Sequence, residues 1–142
     1  MRWRNFSRKC RPRLAWHTEV VTYLATRPRG ATVEAFGSRD LAWIGRLFAE
    51  SHASLARDFD VSCPELDLAV AASTEAGAFA SRMTGGGFGG SVVSLVADSA
   101  VSHVADAVPG EFAARGLREP EVLRVSASEG GRVLSAPPAL HR

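Results

Sequence analysis

A run of glycines near the middle of the chain limits the possible folds more than any other segment. Residues 84–91 have the sequence Thr-Gly-Gly-Gly-Phe-Gly-Gly-Ser, so five of the six residues from 85 to 90 are glycine. A backbone without Cβ atoms can adopt positive φ and can bring its N–H groups close to a ligand. The flanking segments 79–84 and 91–96 are predicted as strands, the second because of its β-branched residues. The sequence therefore predicts two strands joined by a glycine loop.

Two well-known phosphate-binding motifs match this loop poorly. Gly85, Gly87 and Gly90 have the spacing G-x-G-x-x-G, but a dinucleotide fingerprint leads from a strand into a helix, whereas 91–96 is predicted as a strand. Gly85 and Gly90 also have the spacing of a P-loop, which continues with a lysine. The only lysine in the chain is Lys9. The sequence therefore argues against a Rossmann site and excludes a Walker A site.

Two interpretations of the glycine loop remain open. The glycines can serve only to make a tight connection between the strands. Alternatively, they form a ligand-facing loop in which Phe88 supplies one apolar anchor. A two-residue turn would be enough to join the strands, so the length of the glycine run favours the second interpretation.

The rest of the chain predicts helices around this sheet. Apolar spacing, capping residues and helix breakers predict helices over about 14–25, 39–57, 64–76 and 98–108, and a further strand over about 121–125. Ser38 is expected to cap the second helix. Pro109 and Gly110 are expected to interrupt the last helix, which can resume over 111–115. The mixture of helices with an antiparallel sheet predicts the α+β class.

Composition and charge bear on several other classes. The chain has 142 residues, is 46% hydrophobic and has no apolar run long enough to span a bilayer, so we expect one soluble, cytoplasmic domain. Cys10 and Cys63 are expected to be reduced thiols. Six basic residues and no acid precede residue 14, a pattern that would suit a nucleic-acid partner. A solvated terminus explains these residues without a partner and is the favoured interpretation.

Three segments resemble one family of sugar kinases. They are residues 50–55 (Glu-Ser-His-Ala-Ser-Leu), 61–67 (Val-Ser-Cys-Pro-Glu-Leu-Asp) and 82–90 (Arg-Met-Thr-Gly-Gly-Gly-Phe-Gly-Gly). Their order and spacing closely resemble the C-terminal half of galactokinases, which belong to the GHMP superfamily with homoserine, mevalonate and phosphomevalonate kinases. The resemblance implies a GHMP kinase C-terminal domain over 31–142, with a ferredoxin-like antiparallel sheet packed with helices. It leaves 1–30 as a basic segment that the family matches poorly.

The resemblance also implies an activity. Galactokinases use ATP and Mg²⁺ to phosphorylate the anomeric hydroxyl of galactose, which implies galactose, ATP and an N-terminal lobe as partners. The family's catalytic residues and magnesium ligands lie in that upstream lobe, and nothing in this chain matches them. We therefore expect no catalytic residue and no metal ligand here, and no turnover by the chain alone. A non-catalytic sugar-sensing or interaction module is the alternative, and the choice among galactose, N-acetylgalactosamine and arabinose stays open.

The site residues implied by the resemblance are those of the family's third motif, which lines the active-site cleft. The predicted substrate and ATP-cleft loop consists of Thr84, Gly85, Gly86, Gly87, Phe88, Gly89 and Gly90. Arg82 lies immediately before this motif. It is the candidate for a charged contact to a phosphate or to a carboxylate of the other lobe, and the alternative is a structural ion pair.

Simpler roles are predicted for the other polar residues of the matching segments. His52 is expected to be packed or hydrogen-bonded on its helix rather than catalytic. Asp58 and Asp60 are expected at a solvated helix end rather than in a metal site. Glu65 and Asp67 suit the positive first turn of a helix and require no chemistry.

Overall fold

The structure is a computed structural model that describes residues 30–87 and 89–127. Residues 30–38 are helical and are called α1. The elements that follow are α2 (Leu41–Arg57), α3 (Pro64–Glu75), β1 (Ala80–Thr84), β2 (Ser91–Leu95), a single 3₁₀ turn (Asp98–Ala100) and α4 (Val101–Ala114). The two strands, α2 and α3 lie where the sequence predicts them. The helix predicted over 14–25 and Cys10 lie outside the described residues.

β1 and β2 form an antiparallel sheet that carries the glycine loop at one end. Thr84 lies opposite Ser91 next to the loop, and Ala80 lies opposite Leu95 at the far end. The α+β class and the antiparallel pairing are therefore confirmed. Among the described residues, the sheet has two strands.

The two faces of the sheet pack against different helices. On one face, Ala80 packs with Ile44 of α2 and with Ala35 of α1. On the other face, Met83 packs with Cys63 and with Leu66 of α3, and Cys63 is a buried thiol. Alternate residues of a strand point to opposite faces, so one short strand serves both layers. The glycine loop thus projects from a sheet that is held between two helices.

α4 extends the structure beyond α3. Val104, Val108 and Phe112 are spaced four residues apart and pack against Ala72 of α3 and against Ala76, the residue that caps α3. No helix in the described part of the chain is long and apolar enough to cross a membrane.

The prediction that Pro109 and Gly110 interrupt this helix is wrong, because α4 runs without a break from Val101 to Ala114. A proline inside a helix costs about 3 kcal/mol through its missing N–H and the clash of its ring. Val108 and Phe112 lie on either side of Pro109 and are both buried against α3. Burial of this face offsets the local cost, which a pattern of breakers does not take into account.

Two further local features differ from what the sequence predicted. Asp40, not Ser38, caps α2: its side chain accepts a hydrogen bond from Trp43 N at 2.8 Å. Ser38 Oγ instead donates to the carbonyl of Ala35. The helix at 30–38 was not predicted, because the sequence pattern suggested a break at residues 27–30 and no regular element from there to residue 39.

The strand predicted over 121–125 is also wrong. Residues 121–127 have no regular secondary structure and are exposed. Val122 and Val125 gave the segment a strand-like composition, but it pairs with neither strand of the described sheet. Arg124 Nη2 instead forms an ion pair with Asp98 Oδ1 at 2.9 Å. A strand needs a hydrogen-bonding neighbour as well as suitable residues.

A glycine allows α2 to lie close to the sheet. A Cβ atom at Gly45 would lie 2.5 Å from the carbonyl oxygen of Phe79, the residue before β1. No real Cβ atom tolerates that distance from a backbone oxygen, so Gly45 is required for the observed spacing of α2 and β1.

Gly45→Ala is expected to lower the free energy of unfolding by about 1–3 kcal/mol, because the added methyl group forces α2 away from the sheet. Gly110→Ala in α4 is the matched control, since nothing lies within 4 Å of the Cβ atom it adds. The control is expected to raise the free energy of unfolding by about 0.5–1 kcal/mol through helix propensity. Urea denaturation measures both, and changes of the same sign would contradict the close approach.

Candidate functional site

The glycine loop has a backbone conformation that other residues rarely adopt. Gly85, Gly87 and Gly89 have φ of 78°, 80° and 89°. Gly85, Gly86, Gly89 and Gly90 are exposed. The loop therefore presents backbone rather than side chains to the solvent at these positions, which is the arrangement that lets peptide N–H groups contact an anion or a crowded sugar. Phe88 lies outside the described residues.

Gly87 fixes the loop to the body of the domain. A Cβ atom there would lie 2.3 Å from the carbonyl oxygen of Val61 and 3.1 Å from Cε of Met83. Gly87 is thus required twice, once for its positive φ and once for its close contact with Val61. Neither requirement applies to Gly86, because its φ is not in the positive range and nothing lies within 4 Å of an added Cβ atom.

The strand end beneath the loop is buried and hydrogen-bonded to α2. Met83 is fully buried, and its N–H donates to His52 Nδ1 at 3.3 Å. His52 Nε2 lies 3.2 Å from Asp67 Oδ1 on α3, and Ser62 Oγ donates to the same oxygen at 2.5 Å. The expectation of a hydrogen-bonded His52 is confirmed. Asp67 does lie in the first turn of α3, but sequence reasoning missed its contact with His52.

Arg82 lies at the base of the loop with its guanidinium half-buried. Its Nε donates to the carbonyl oxygen of Met83 at 3.0 Å, and its Cζ lies 6.0 Å from the ring centroid of Phe48. Burial lowers the pKa of the Arg82 guanidinium from its ordinary value, although an arginine of this kind stays charged at neutral pH. Within residues 30–87 and 89–127, no carboxylate forms an ion pair with Arg82.

The remaining acidic candidates do not form a site. Asp58 lies at the C-terminal end of α2, where its carboxylate accepts a hydrogen bond from Ser54 Oγ at 2.7 Å. Asp60 is exposed with φ of 54°. In the part of the chain that the structure describes, no group of three or more His, Cys, Asp or Glu side chains is arranged to hold a metal ion.

A shallow cavity of about 200 Å³ lies between α3 and α4. Its walls are formed by Ala72, Glu75, Ala76, His103, Ala107 and Glu111. None of these residues belongs to the glycine loop or to its base. The candidate site is therefore the exposed loop and not this cavity.

Comparison with known proteins identifies the family of this chain. Residues 32–114 match the family model described as GHMP kinases C terminal, which covers α2, α3, both strands, the glycine loop and α4. The chain belongs to the GHMP kinase C-terminal family. This match confirms the superfamily that was inferred from residues 50–55, 61–67 and 82–90.

Several relatives of this GHMP kinase domain are named galactokinases. The chain is 50% identical over 97 residues to the galactokinase of Streptomyces coelicolor, a match that covers 68% of this chain and 25% of that protein. The crystal structure of Lactococcus lactis galactokinase complexed with galactose is similar with 37% identity and a TM-score of 0.58, over 63% of this chain and 24% of that one. The chain spans about a quarter of the length of the curated relatives it matches.

A more distant similarity supports the superfamily as a whole. The structure of L. major mevalonate kinase in complex with R-mevalonate has 26% identity and a TM-score of 0.51, over 68% of this chain and 27% of that one. The α+β arrangement of this GHMP kinase domain therefore occurs in kinases named for two different substrates.

Gly87→Ala is expected to lower the free energy of unfolding of this GHMP kinase domain by about 2 kcal/mol, because the methyl group adds a positive-φ penalty to a clash with Val61. Gly86→Ala is the matched control in the neighbouring position and is expected to change it by no more than about 0.5 kcal/mol. Urea denaturation of the 142-residue chain measures the difference. Equal losses of unfolding free energy in the two variants would show that Gly87 does not fix the loop to the domain.

Proposed function

We propose that this chain is the C-terminal domain of a galactokinase, which transfers the γ-phosphate of ATP to the anomeric hydroxyl of galactose. The observation that carries the proposal is the exposed backbone at Gly85, Gly86, Gly89 and Gly90, held in place by the contact of Gly87 with Val61. The names of the relatives support a kinase rather than a non-catalytic sugar-sensing module. The domain is assigned to residues 31–142.

In this proposal the loop positions substrates and supplies no acid or base. Phosphoryl transfer depends mainly on alignment of the reacting groups and on stabilisation of charge. Backbone N–H groups of Gly85, Gly86, Gly89 and Gly90 are accessible for donation to phosphate oxygens or sugar hydroxyls. Thr84 is exposed beside them at the end of β1 and adds a hydroxyl. We assign to this loop, including Phe88, the role of one wall of the substrate cleft.

Arg82 is proposed as the charged contact of the same site. A half-buried cation with no carboxylate partner among the described residues favours an anion from outside this domain. The carbonyl oxygen of Met83 and the ring of Phe48 limit the orientations of the guanidinium, so less side-chain freedom is lost on binding. The anion is a phosphate of ATP or a carboxylate of the N-terminal lobe.

The catalytic residues and the ligands of Mg²⁺ are assigned to the N-terminal lobe of the proposed enzyme. The described residues provide an anion-contacting loop and a cation, which suit the phosphates of ATP, but no carboxylate cluster that would suit a magnesium ion. The phosphoryl group comes from ATP when it is bound. Because ATP is the proposed donor, we expect the enzyme to act in the cytoplasm.

The proposal predicts that the chain alone does not produce ADP in a galactose-dependent reaction. A hybrid enzyme that contains its matching segment is expected to produce it. In the hybrid, residues 32–114 replace the matching segment of the Streptomyces coelicolor galactokinase. Gly87→Ala in the hybrid is expected to lower kcat/KM at least about tenfold, since misplacement of positioning groups weakens transition-state contacts. The Gly86→Ala hybrid is the control and is expected to keep its activity. A hybrid that folds cooperatively yet has no activity would overturn the proposal, as would turnover by the chain alone.

A second prediction concerns Arg82. In the hybrid enzyme Arg82→Gln is expected to raise the KM for ATP about tenfold, because a charge-assisted contact contributes about 1.5–3 kcal/mol. Arg82→Lys is expected to recover part of the loss, since lysine keeps the charge but not the planar geometry. Initial rates at varied ATP concentration measure both, and an unchanged KM and kcat in Arg82→Gln would contradict the role of this residue.

A further inference from the structure

One backbone amide of β1 donates its hydrogen bond to a side chain and not to a strand. Met83 lies opposite Val92 in the antiparallel register, and its N–H donates to the imidazole of His52. In an antiparallel pair, alternate residues direct their N–H groups away from the partner strand. Met83 is fully buried, so an unpaired N–H at this position would carry the full cost of desolvation. His52 therefore takes the place of a neighbouring strand at this point of β1.

The contacts of His52 define which of its nitrogens carries the proton. Nδ1 accepts from Met83 N–H and so has no proton of its own, which leaves the proton on Nε2, 3.2 Å from Asp67 Oδ1. Ser62 Oγ donates to the same carboxylate oxygen. The side chain of His52 is 12% exposed. The imidazole thus has a polar neighbour at each nitrogen, one on β1 and one on α3.

The two residues that lie against Gly87 are connected to His52 and Asp67. The Cε atom that lies against Gly87 belongs to Met83, whose amide is bonded to His52. The carbonyl oxygen that lies against Gly87 belongs to Val61, the neighbour of Ser62. A displacement of either Met83 or Ser62 would therefore also displace Gly87, the glycine that fixes the loop to the domain.

We infer that His52 is a positioning residue that, together with Asp67 and Ser62, holds the base of the glycine loop in place. It acts through the backbone of Met83 and contacts no substrate. Its importance for catalysis rests on the function proposed above, whereas its effect on the loop does not.

The test uses the 142-residue chain without substrate. Amide hydrogen exchange followed by NMR is measured at Met83, with the amides of Val104 and Val108 in α4 as an internal reference. His52→Leu is expected to raise exchange at Met83 about tenfold, the effect of losing one buried hydrogen bond, and to shift the amide resonances of Gly85 to Gly87. Exchange at the two reference amides is expected to stay within about twofold of the parent chain, because they report on global opening.

His52→Asn is the matched variant, since its side-chain oxygen can occupy the place of Nδ1 and accept from Met83 N–H. It is expected to return exchange at Met83 to within about threefold of the parent chain and to restore the loop resonances. Unchanged exchange at Met83 in His52→Leu would overturn the inference. An equal rise at Met83 and in α4 would do the same, as would a failure of His52→Asn to restore protection.

A milder variant covers the case in which His52→Leu does not fold. Ser62→Ala removes one hydrogen bond to Asp67 and is expected to shift the amide resonance of Gly87 while exchange at Val104 stays unchanged. An unshifted Gly87 resonance would overturn the part assigned to Ser62. Because these measurements need no turnover, an inactive hybrid enzyme would leave them standing, and their failure would leave the proposed kinase function standing.

Discussion

The sheet in the described residues has two strands of five residues each, and such a sheet is not stable in water without further packing. The arrangement of the helices and of the loop depends on that packing. α2 covers one face through Ile44, and α3 covers the other through Leu66. Gly45 lets the first helix approach the backbone itself. The sheet is consequently held from both sides, and the loop at its end has a rigid origin.

The loop exposes mainly backbone, whereas the layer below it is held by side chains. At the exposed glycines the surface consists of peptide groups, which have no rotamers to lose when a ligand binds. Side chains act one layer below, where Met83 and the His52 network hold the strand end. Gly87 joins the two layers, because it is the position at which the loop rests on Val61 and Met83.

The parts that sequence reasoning predicted are those governed by local chemistry. The strands around the glycine run and the helices at Leu41–Arg57 and Pro64–Glu75 follow from periodicity and from residues such as Pro64. The continuous helix through Pro109 depends on burial against α3, which no local pattern reports. The bond between His52 and Met83 joins residues 31 positions apart, and the contact of Gly87 with Val61 is a backbone contact without a side-chain signature. These contacts are visible only when the elements are assembled.

The imidazole on the amide of Met83 also affects how the sheet can associate with other chains. An edge strand with unpaired N–H groups is a template for strands from other molecules, and proteins block such edges to avoid aggregation. A foreign strand that approached β1 at Met83 would have to displace a histidine that is itself held by Asp67. Within the part of the chain that the structure describes, the side chain that supports the loop therefore also blocks strand pairing at this position of β1.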